Sequence, residues 1–387
     1  MRWRVPFWQR REPGIVACAT AHYPEAAARG ARQGTSLQNE IRSHTGLRGV
    51  AALCVVGYHQ QFMAGYKLPF EALFHRAYLM VDLFFVLSGF VLSYVYSQKI
   101  DVRSFYRARF ARIYPLHVFA LLTLTVVTFG LNALRILKGH APDDLGPFSD
   151  WFEQLVLLNA WLPAVFEWNK PSWSISAEAF AYLLFPLVMV ALARWPRAVA
   201  WAMLAGVLLF YVLIGTSLDI SVGLAILRCL AGFGLGMLLF RWRQTPLPDA
   251  SASAIQLAAL AWIVAVLLLP VRDPLIIPAF VGLVFATWRD KGLLAKMLAA
   301  RPVHRLGELS YSIYLMHYAV GGLVGFAWFR TIHMIGLPVV IERCLFLACV
   351  LATVIQVSAW TYRYVERPFQ DLLRGRSRKV EVAAPAP

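Results

Sequence analysis

The sequence predicts an all-α, polytopic integral membrane protein with about ten transmembrane helices and both termini in the cytoplasm. Of the 387 residues, 59% are hydrophobic and only 15% are charged, and the mean hydropathy is +0.59. A soluble globular domain is about 45–50% apolar and about 25% charged. The same composition excludes a disordered chain and a nucleic-acid-binding domain, because both need polar surface.

Ten apolar stretches approach the roughly 20 residues that a helix needs to cross about 30 Å of hydrocarbon. They lie at 47–65, 78–97, 112–131, 173–193, 198–215, 222–240, 254–271, 274–288, 307–328 and 337–362. A further apolar piece, 154–166, is too short to span the membrane and contains a proline. We therefore predict that this piece forms an interfacial or re-entrant loop.

The basic residues predict the orientation of these spans. If the N-terminus is cytoplasmic and the spans alternate, the inner segments hold 28 Arg and Lys residues and the outer loops hold 7. Such a bias places both termini inside. It also accounts for the formal net charge of +16 without a nucleic-acid partner.

The chain divides into three predicted regions. Residues 44–370 form the transmembrane domain, 1–43 a flexible polar extension and 371–387 a disordered cytoplasmic tail, because the two ends offer little apolar surface. The five cysteines are scattered, and no His/Cys cluster has the spacing of a metal site. No metal is predicted.

The first span carries Arg48 and, eleven residues later, His59. At 100° per residue this separation is about 20° beyond three full turns, so both side chains share a helix face roughly 16 Å apart. Arg48 then lies at the cytoplasmic boundary and His59, a titratable base, near the middle of the bilayer. The alternative is a snorkelling arginine and a histidine that is satisfied by a neighbouring helix.

Two carboxylates are predicted within spans, where a charge costs about 2.5–3.5 kcal/mol on insertion scales and is a functional candidate by default. Asp82 lies about one turn inside the outer end of its span. It either orients a histidine or caps the start of the helix. Glu178 lies about five residues inside the outer boundary of the fourth span, where it requires a partner or a cavity.

Arg109 and Arg112 lie at the end of the predicted inner loop 98–112. At i and i+3 on a helix they form a pair of guanidinium groups on one face, suited to bidentate recognition of phosphate. The alternative is that both arginines only contribute to the excess of basic residues that is typical of cytoplasmic segments.

Three further features are candidates for binding or structure. Trp173 suits an interfacial anchor or a platform for a sugar ring. His317 lies at a depth similar to that of His59, with a packing, hydrogen-bonding or substrate-binding role. Glu366 is expected to be structural at the cytoplasmic exit of the last span, and Pro368 is expected to end that helix.

Six motifs, taken together and in order, resemble the membrane-bound acyltransferase-3 family over about residues 44–372. This family comprises bacterial O-acyltransferases of surface polysaccharides, lipopolysaccharide and related glycans. The motifs are Arg48-x10-His59, VDLFFVLSGF (81–90), RARFARIYP (107–115), PSWSISAE (171–178), LGELSYSIYLMH (306–317) and YRYVERPF (362–369).

The resemblance implies a multi-pass protein of the bacterial cytoplasmic (inner) membrane. No cofactor is permanently bound; acetyl-CoA or another acyl-CoA is the donor from the cytoplasm, and a glycan or other hydroxyl-bearing acceptor lies outside. His59 is then the general base, and a covalent acyl-histidine intermediate is an open variant. The guanidinium groups of Arg48, Arg109 and Arg112 hold the CoA phosphates. Glu178 or Asp82 orients His59 or the acceptor.

The composition alone equally suits a transporter or flippase of a glycan or lipid intermediate. A transporter needs no arginine cluster for CoA and consumes no acyl-CoA. Consumption of acyl-CoA therefore separates these two functions.

The predicted topology can be tested with reporter fusions. Fusions at positions 20, 105, 245 and 375 should report the cytoplasm, and fusions at 70, 145 and 333 the outside, because of the distribution of basic residues. An outside signal at position 105 would overturn the orientation and the cytoplasmic placement of Arg109 and Arg112.

Overall fold

The computed structural model describes residues 2–4, 40–63, 71–97, 99–164, 166–242 and 247–374. These residues form an almost entirely helical structure, which confirms the predicted all-α polytopic class. Most of the predicted extension (1–43) and tail (371–387) lies outside the described residues. The exceptions are a short strand β1 (Arg2–Arg4), which pairs antiparallel with β2 (Lys99–Asp101), and the ends of two helices.

The described helices follow one another with short connections. They are α1 (Arg42–Met63), α2 (Glu71–His75), α3 (Met80–Val95), α4 (Val102–Leu137), α5 (Phe148–Leu155), α6 (Trp173–Arg194), α7 (Pro196–Leu213), α8 (Leu224–Trp242), α9 (Asp249–Leu268), α10 (Ile277–Thr287), α11 (Leu293–Leu298), α12 (Arg301–Glu308), α13 (Ser310–Arg330), α14 (Val339–Thr361) and α15 (Arg367–Arg374). Each of the ten predicted spans coincides with one of these helices.

Eight helical segments of the described chain are long and apolar enough to cross a membrane. The other two predicted spans are α1 and α10. Helix α1 has 22 residues, hence a length of about 33 Å, but its polar side chains lower its mean hydropathy. The apolar segment that contains α10, Asp273–Thr287, is shorter than a full span.

Helix α4 is longer than the predicted third span. Its 36 residues extend over about 54 Å and begin at Val102, ten residues before the predicted start. The segment 102–112, expected to belong to a loop, is therefore helical, and Arg109 and Arg112 occupy fixed positions on it.

The apolar piece 154–166 does not form a spanning helix, in agreement with the prediction. After α5 ends at Leu155 the chain turns inward, and Asn159 and Ala160 are buried. The Asn159 amide donates to Ser172 Oγ (3.0 Å), and the Gly223 backbone N–H donates to the Ala160 carbonyl (2.8 Å). Irregular backbone is tolerated in a membrane protein where protein groups satisfy it in this way.

The expectation that Pro368 ends the last helix is wrong. Helix α14 passes into a π-helical turn (Tyr362–Glu366) and then into α15, and Pro368 lies in the first turn of α15. The helix continues past this proline through the wider π-helical turn, in which the Arg367 backbone N–H donates to the Tyr362 carbonyl. The predicted domain boundary at residue 370 therefore falls inside a helix that ends at Arg374.

Helices α3 and α8 pack with their backbones in direct contact. A Cβ atom on Gly89 would lie 1.9 Å from the Phe233 carbonyl oxygen, and one on Gly236 would lie 2.1 Å from that of Val86. Only glycine fits at these two positions, as is typical where membrane helices approach closely. Helix α1 in turn packs against α3, α12 and α13. The side chains of α1, α3 and α13 therefore meet in the interior.

Candidate active site

Two histidines meet at the contact between α1 and α13. The Nδ1 atom of His59 lies 3.1 Å from Nε2 of His317, and the two ring centroids are 4.9 Å apart. Each Nδ1 atom also contacts the backbone carbonyl one turn earlier: that of Val55 at 3.1 Å from His59, and that of Ile313 at 3.2 Å from His317. His317 is fully buried, whereas His59 is partly exposed.

These contacts fix the protonation of both neutral rings. A carbonyl oxygen only accepts hydrogen bonds, so the proton of His317 lies on Nδ1 and its Nε2 atom accepts. The Nδ1–H group of His59 then donates to Val55 and His317 together, and the lone pair of His59 lies on Nε2. The arrangement holds His59 as the tautomer that can accept a proton at Nε2.

The second part of the site is a small cavity that Arg48 and Glu178 both line. Its volume is about 30 Å³. The Nε atom of Arg48 and the hydroxyl of Ser310 are buried at this cavity and have no hydrogen-bond partner there. Glu178 accepts hydrogen bonds from Ser88 Oγ (2.6 Å) and from the Tyr182 hydroxyl (2.7 Å).

Arg109 and Arg112 reach the same region from α4. The Arg109 guanidinium lies 5.7 Å from the centroid of the Tyr182 ring, and that of Arg112 lies 5.3 Å from the centroid of the Tyr311 ring. Both guanidinium groups interact electrostatically with Arg48, as does the Glu178 carboxylate. The structure thus brings the three predicted arginines and Glu178 together.

The two α4 arginines differ in their partners. Arg112 forms a salt bridge with the buried carboxylate of Glu366, which also accepts a hydrogen bond from Ser312 Oγ at 2.9 Å. By contrast, the Nε atom of Arg109 is buried without a partner. Arg112 is therefore partly neutralised by the protein, and Arg109 and Arg48 retain unused donors.

A series of aromatic contacts links the arginine cavity to the histidine pair. The guanidinium of Arg48 lies 5.8 Å from the Phe84 ring centroid, and Phe84 meets Tyr314 edge-on at 5.8 Å. The Tyr314 ring lies 6.0 Å from that of His317. A series of packed aromatic rings therefore connects the arginine cavity to the histidine pair.

Asp82, which the sequence suggested as an orienting group for His59, lies elsewhere. Its carboxylate forms a bidentate ion pair with Arg228 of α8, at 3.0 Å from Nε and 2.6 Å from Nη2. Both side chains are almost completely buried. The structure brings neither Asp82 nor Glu178 to His59, whose Nδ1 atom contacts His317 instead.

Trp173 packs against the same ion pair. It is 9% exposed, and the Arg228 guanidinium lies 5.2 Å from its ring centroid. This burial does not fit an interfacial anchor. Among the described residues, no group of three or more His, Cys, Asp or Glu side chains could hold a metal ion.

Comparison with known proteins places the chain in a family. The family model described as an acyltransferase domain matches residues 42–363. Acyltransferase MdmB of Streptomyces mycarofaciens is 31% identical over 385 residues, which cover 89% of this chain and 95% of that protein. The chain therefore belongs to the acyltransferase-3 family, and it is an O-acyltransferase of the membrane.

Two other relatives are longer proteins. Peptidoglycan O-acetyltransferase OatA of Listeria monocytogenes is 24% identical over 72% of this chain, and O-acetyltransferase OatA of Staphylococcus aureus is 25% identical over 71%. The matched part is 49% of each relative, so the chain spans about half the length of these acetyltransferases. No solved structure matches the chain.

The role of the ion pair between Asp82 and Arg228 can be tested by substitution. Arg228→Met should lower stability by about 3–5 kcal/mol, because it leaves the Asp82 carboxylate buried and unpaired. The double variant Asp82→Asn, Arg228→Met should recover most of that loss, since no uncompensated charge remains. The measurement is the thermal unfolding of each purified variant in detergent. Equal instability of the single and double variants would contradict this role.

Proposed function

We propose that the protein transfers an acyl group, by default acetyl, from cytoplasmic acyl-CoA to a hydroxyl of an extracytoplasmic glycan such as exopolysaccharide or lipopolysaccharide. The observation that carries this proposal is the series of packed aromatic rings that connects three arginines to the His59–His317 pair. Cationic groups suited to phosphate lie at one end of this series, and a base lies at the other.

The arginine end of the site suits binding of the acyl-CoA donor. Coenzyme A carries several phosphate groups, and guanidinium is the side-chain group that best matches phosphate geometry. Arg48 and Arg109 have buried Nε atoms without partners, so a bound anion would satisfy donors that the protein leaves unused. In the predicted topology this end faces the cytoplasm, where acyl-CoA is found.

The histidine end of the site suits acyl transfer to a hydroxyl. A hydroxyl becomes an effective nucleophile when a base removes its proton in the transition state, which is typically worth 10²–10⁴-fold. In our proposal His59 Nε2 accepts this proton while the acceptor oxygen attacks the thioester carbonyl, and the CoA thiolate leaves. The Nδ1–H group of the resulting imidazolium donates to His317, so His317 positions the ring and stabilises the charge.

The comparisons support a hydroxyl acceptor and leave its identity to experiment. The names of the OatA relatives describe acetyl transfer to oxygen, in one case on peptidoglycan. MdmB, which this chain matches almost end to end, is named as an acyltransferase. Family membership also favours an acyltransferase over the transporter considered from composition alone. Mass spectrometry of O-acyl groups on surface glycans of a deletion strain and its parent tests the acceptor class directly.

The base assignment predicts the behaviour of two histidine variants. His59→Ala should abolish transfer while membrane insertion and donor binding persist, and His59→Gln should not restore it, because an amide cannot accept the proton at neutral pH. His317→Ala should lower kcat about 10–100-fold and leave KM for acyl-CoA unchanged, since the base remains but loses its orienting partner. The assay is transfer of a labelled acyl group from acyl-CoA by the purified variants in detergent.

The outcomes of this assay are distinct. Wild-type turnover in His59→Ala would show that the chemistry lies on another helix. Total loss of transfer in His317→Ala together with normal turnover in His59→Ala would make His317 the base and His59 the positioning residue. A rise in KM without a change in kcat in His317→Ala would assign His317 to substrate binding instead of positioning.

The donor assignment predicts a difference between the two α4 arginines. Arg109→Ala should weaken acyl-CoA binding about tenfold or more with little loss of stability, and Arg109→Lys should restore it only in part, because lysine lacks the bidentate fork. Arg112→Ala should weaken binding and also destabilise the protein, because it leaves Glu366 buried without its salt bridge. Binding and thermal unfolding are measured on the same preparations.

Arg103 provides the matched control, since it is an exposed arginine on the same helix. Arg103→Ala should bind acyl-CoA like the wild type. Full affinity in the double variant Arg109→Ala, Arg112→Ala would mean that these residues only specify topology.

A further inference from the structure

A second basic cavity lies at the junction of α14 and α15. Its volume is about 610 Å³. It is lined by Arg305, Gln356, Ala359, Trp360, Tyr362, Arg363, Tyr364 and Arg367. None of these side chains lines the cavity of Arg48 and Glu178, so the proposed acyl transfer makes no use of them.

Three residues of the π-helical turn Tyr362–Glu366 line this cavity, namely Tyr362, Arg363 and Tyr364. Arg367, the first residue of the next helix, lines it as well. Single π-helical turns of this kind occur frequently at functional sites.

The polar part of the cavity is cationic. The guanidinium of Arg305 lies 5.8 Å from the Tyr362 ring centroid and bonds Glu308 at 2.7 Å, so one of the three arginines is already paired. Arg363 and Arg367 are exposed. Together the three arginines and Glu308 leave a net positive charge that suits a phosphate group.

The remaining lining residues lie in the last turns of α14 and in the π-helical turn. Trp360 is 52% exposed and Tyr364 is 54% exposed, as expected for aromatic side chains at a membrane interface. Gln356 is exposed seven residues before Arg363, about 10 Å deeper along the helix. A polar side chain on a membrane helix costs free energy unless a partner satisfies it.

From this arrangement we propose that the cavity binds the headgroup of an anionic phospholipid, with the phosphate between Arg363 and Arg367. The glycerol ester groups lie at the level of Ala359 and Trp360, between the phosphate and Gln356, and the acyl chains continue deeper along α14. Basic pockets at the cytoplasmic ends of membrane helices bind such headgroups. The inference does not depend on the proposed acyl transfer.

The test is binding of phosphatidylglycerol to the purified full-length protein in detergent, followed by native mass spectrometry. The double variant Arg363→Ala, Arg367→Ala should bind about 10–30-fold more weakly than the wild type, because each basic group near a lipid surface contributes about a tenfold effect or less. Phosphatidylcholine should bind weakly to both proteins, since it carries no net charge. Equal affinity of wild type and double variant for phosphatidylglycerol would overturn the proposal.

Arg194 and Arg197 form a matched control pair. They are exposed at another predicted cytoplasmic junction, where Arg194 lies 6.0 Å from the Trp195 ring centroid, and they do not line the cavity. Arg194→Ala, Arg197→Ala should keep wild-type affinity for phosphatidylglycerol. An equal loss in this variant would mean that total charge, not the cavity, attracts the lipid.

Two competitors identify the chemistry that the cavity recognises. Glycerol phosphate should displace the lipid only weakly, because it lacks the acyl chains that contact α14. Displacement by coenzyme A in the wild type, abolished in the Arg363→Ala, Arg367→Ala variant, would assign the cavity to a nucleotide and overturn the lipid proposal. If the alanine variant melts below the wild type, Arg363→Gln, Arg367→Gln replaces it, because glutamine retains more of the side-chain contacts.

Discussion

The buried ion pair between Asp82 and Arg228 is the constraint on which the interior of this protein depends. Both groups are nearly inaccessible, and an isolated charge at such a position would be far too costly, so α3 and α8 must pack in one register. The glycine contacts of Gly89 and Gly236 allow the two backbones to approach closely enough for that register. The same register places Ser88 where its hydroxyl bonds Glu178. A structural pair on one side of α3 therefore helps to orient a carboxylate of the candidate site.

The requirement to pair buried charges also separates arginines that support the fold from arginines that can bind a ligand. Arg228 and Arg112 each have a buried carboxylate partner, whereas Arg48 and Arg109 keep buried Nε atoms without one. A protein interior rarely leaves such donors unused, and exceptions concentrate at functional sites. Residues of one chemical type thus serve two purposes in the same interior, and only their partners distinguish them.

The sequence predicts the helices well because a helix that crosses the bilayer needs about 20 apolar residues. Spacing along these helices also makes His59, Arg48, Arg109 and Arg112 candidates for the site. It does not predict which helices meet. The carboxylate expected beside His59 is replaced by His317, since pairing across helices depends on packing that no local pattern encodes. One signal was available: Arg228 and Asp82 are opposite charges within two spans, and intramembrane charges seek partners. The π-helical turn left no such signal, because Pro368 is compatible with either a helix end or a helix start.

A histidine partner for the proposed base, His59, has a physical advantage over a carboxylate at this depth. A carboxylate beside His59 would bring a permanent charge into the interior and would require a cation of its own, as Asp82 requires Arg228. Neutral His317 orients the ring through the same Nδ1 atom without that cost. In the proposed transfer the imidazolium of His59 donates to His317 Nε2, and a hydrogen bond with a charged donor is stronger than a neutral one. Under this proposal His317 interacts more strongly with the transition state than with the resting enzyme, which is the condition for an interaction to accelerate a reaction.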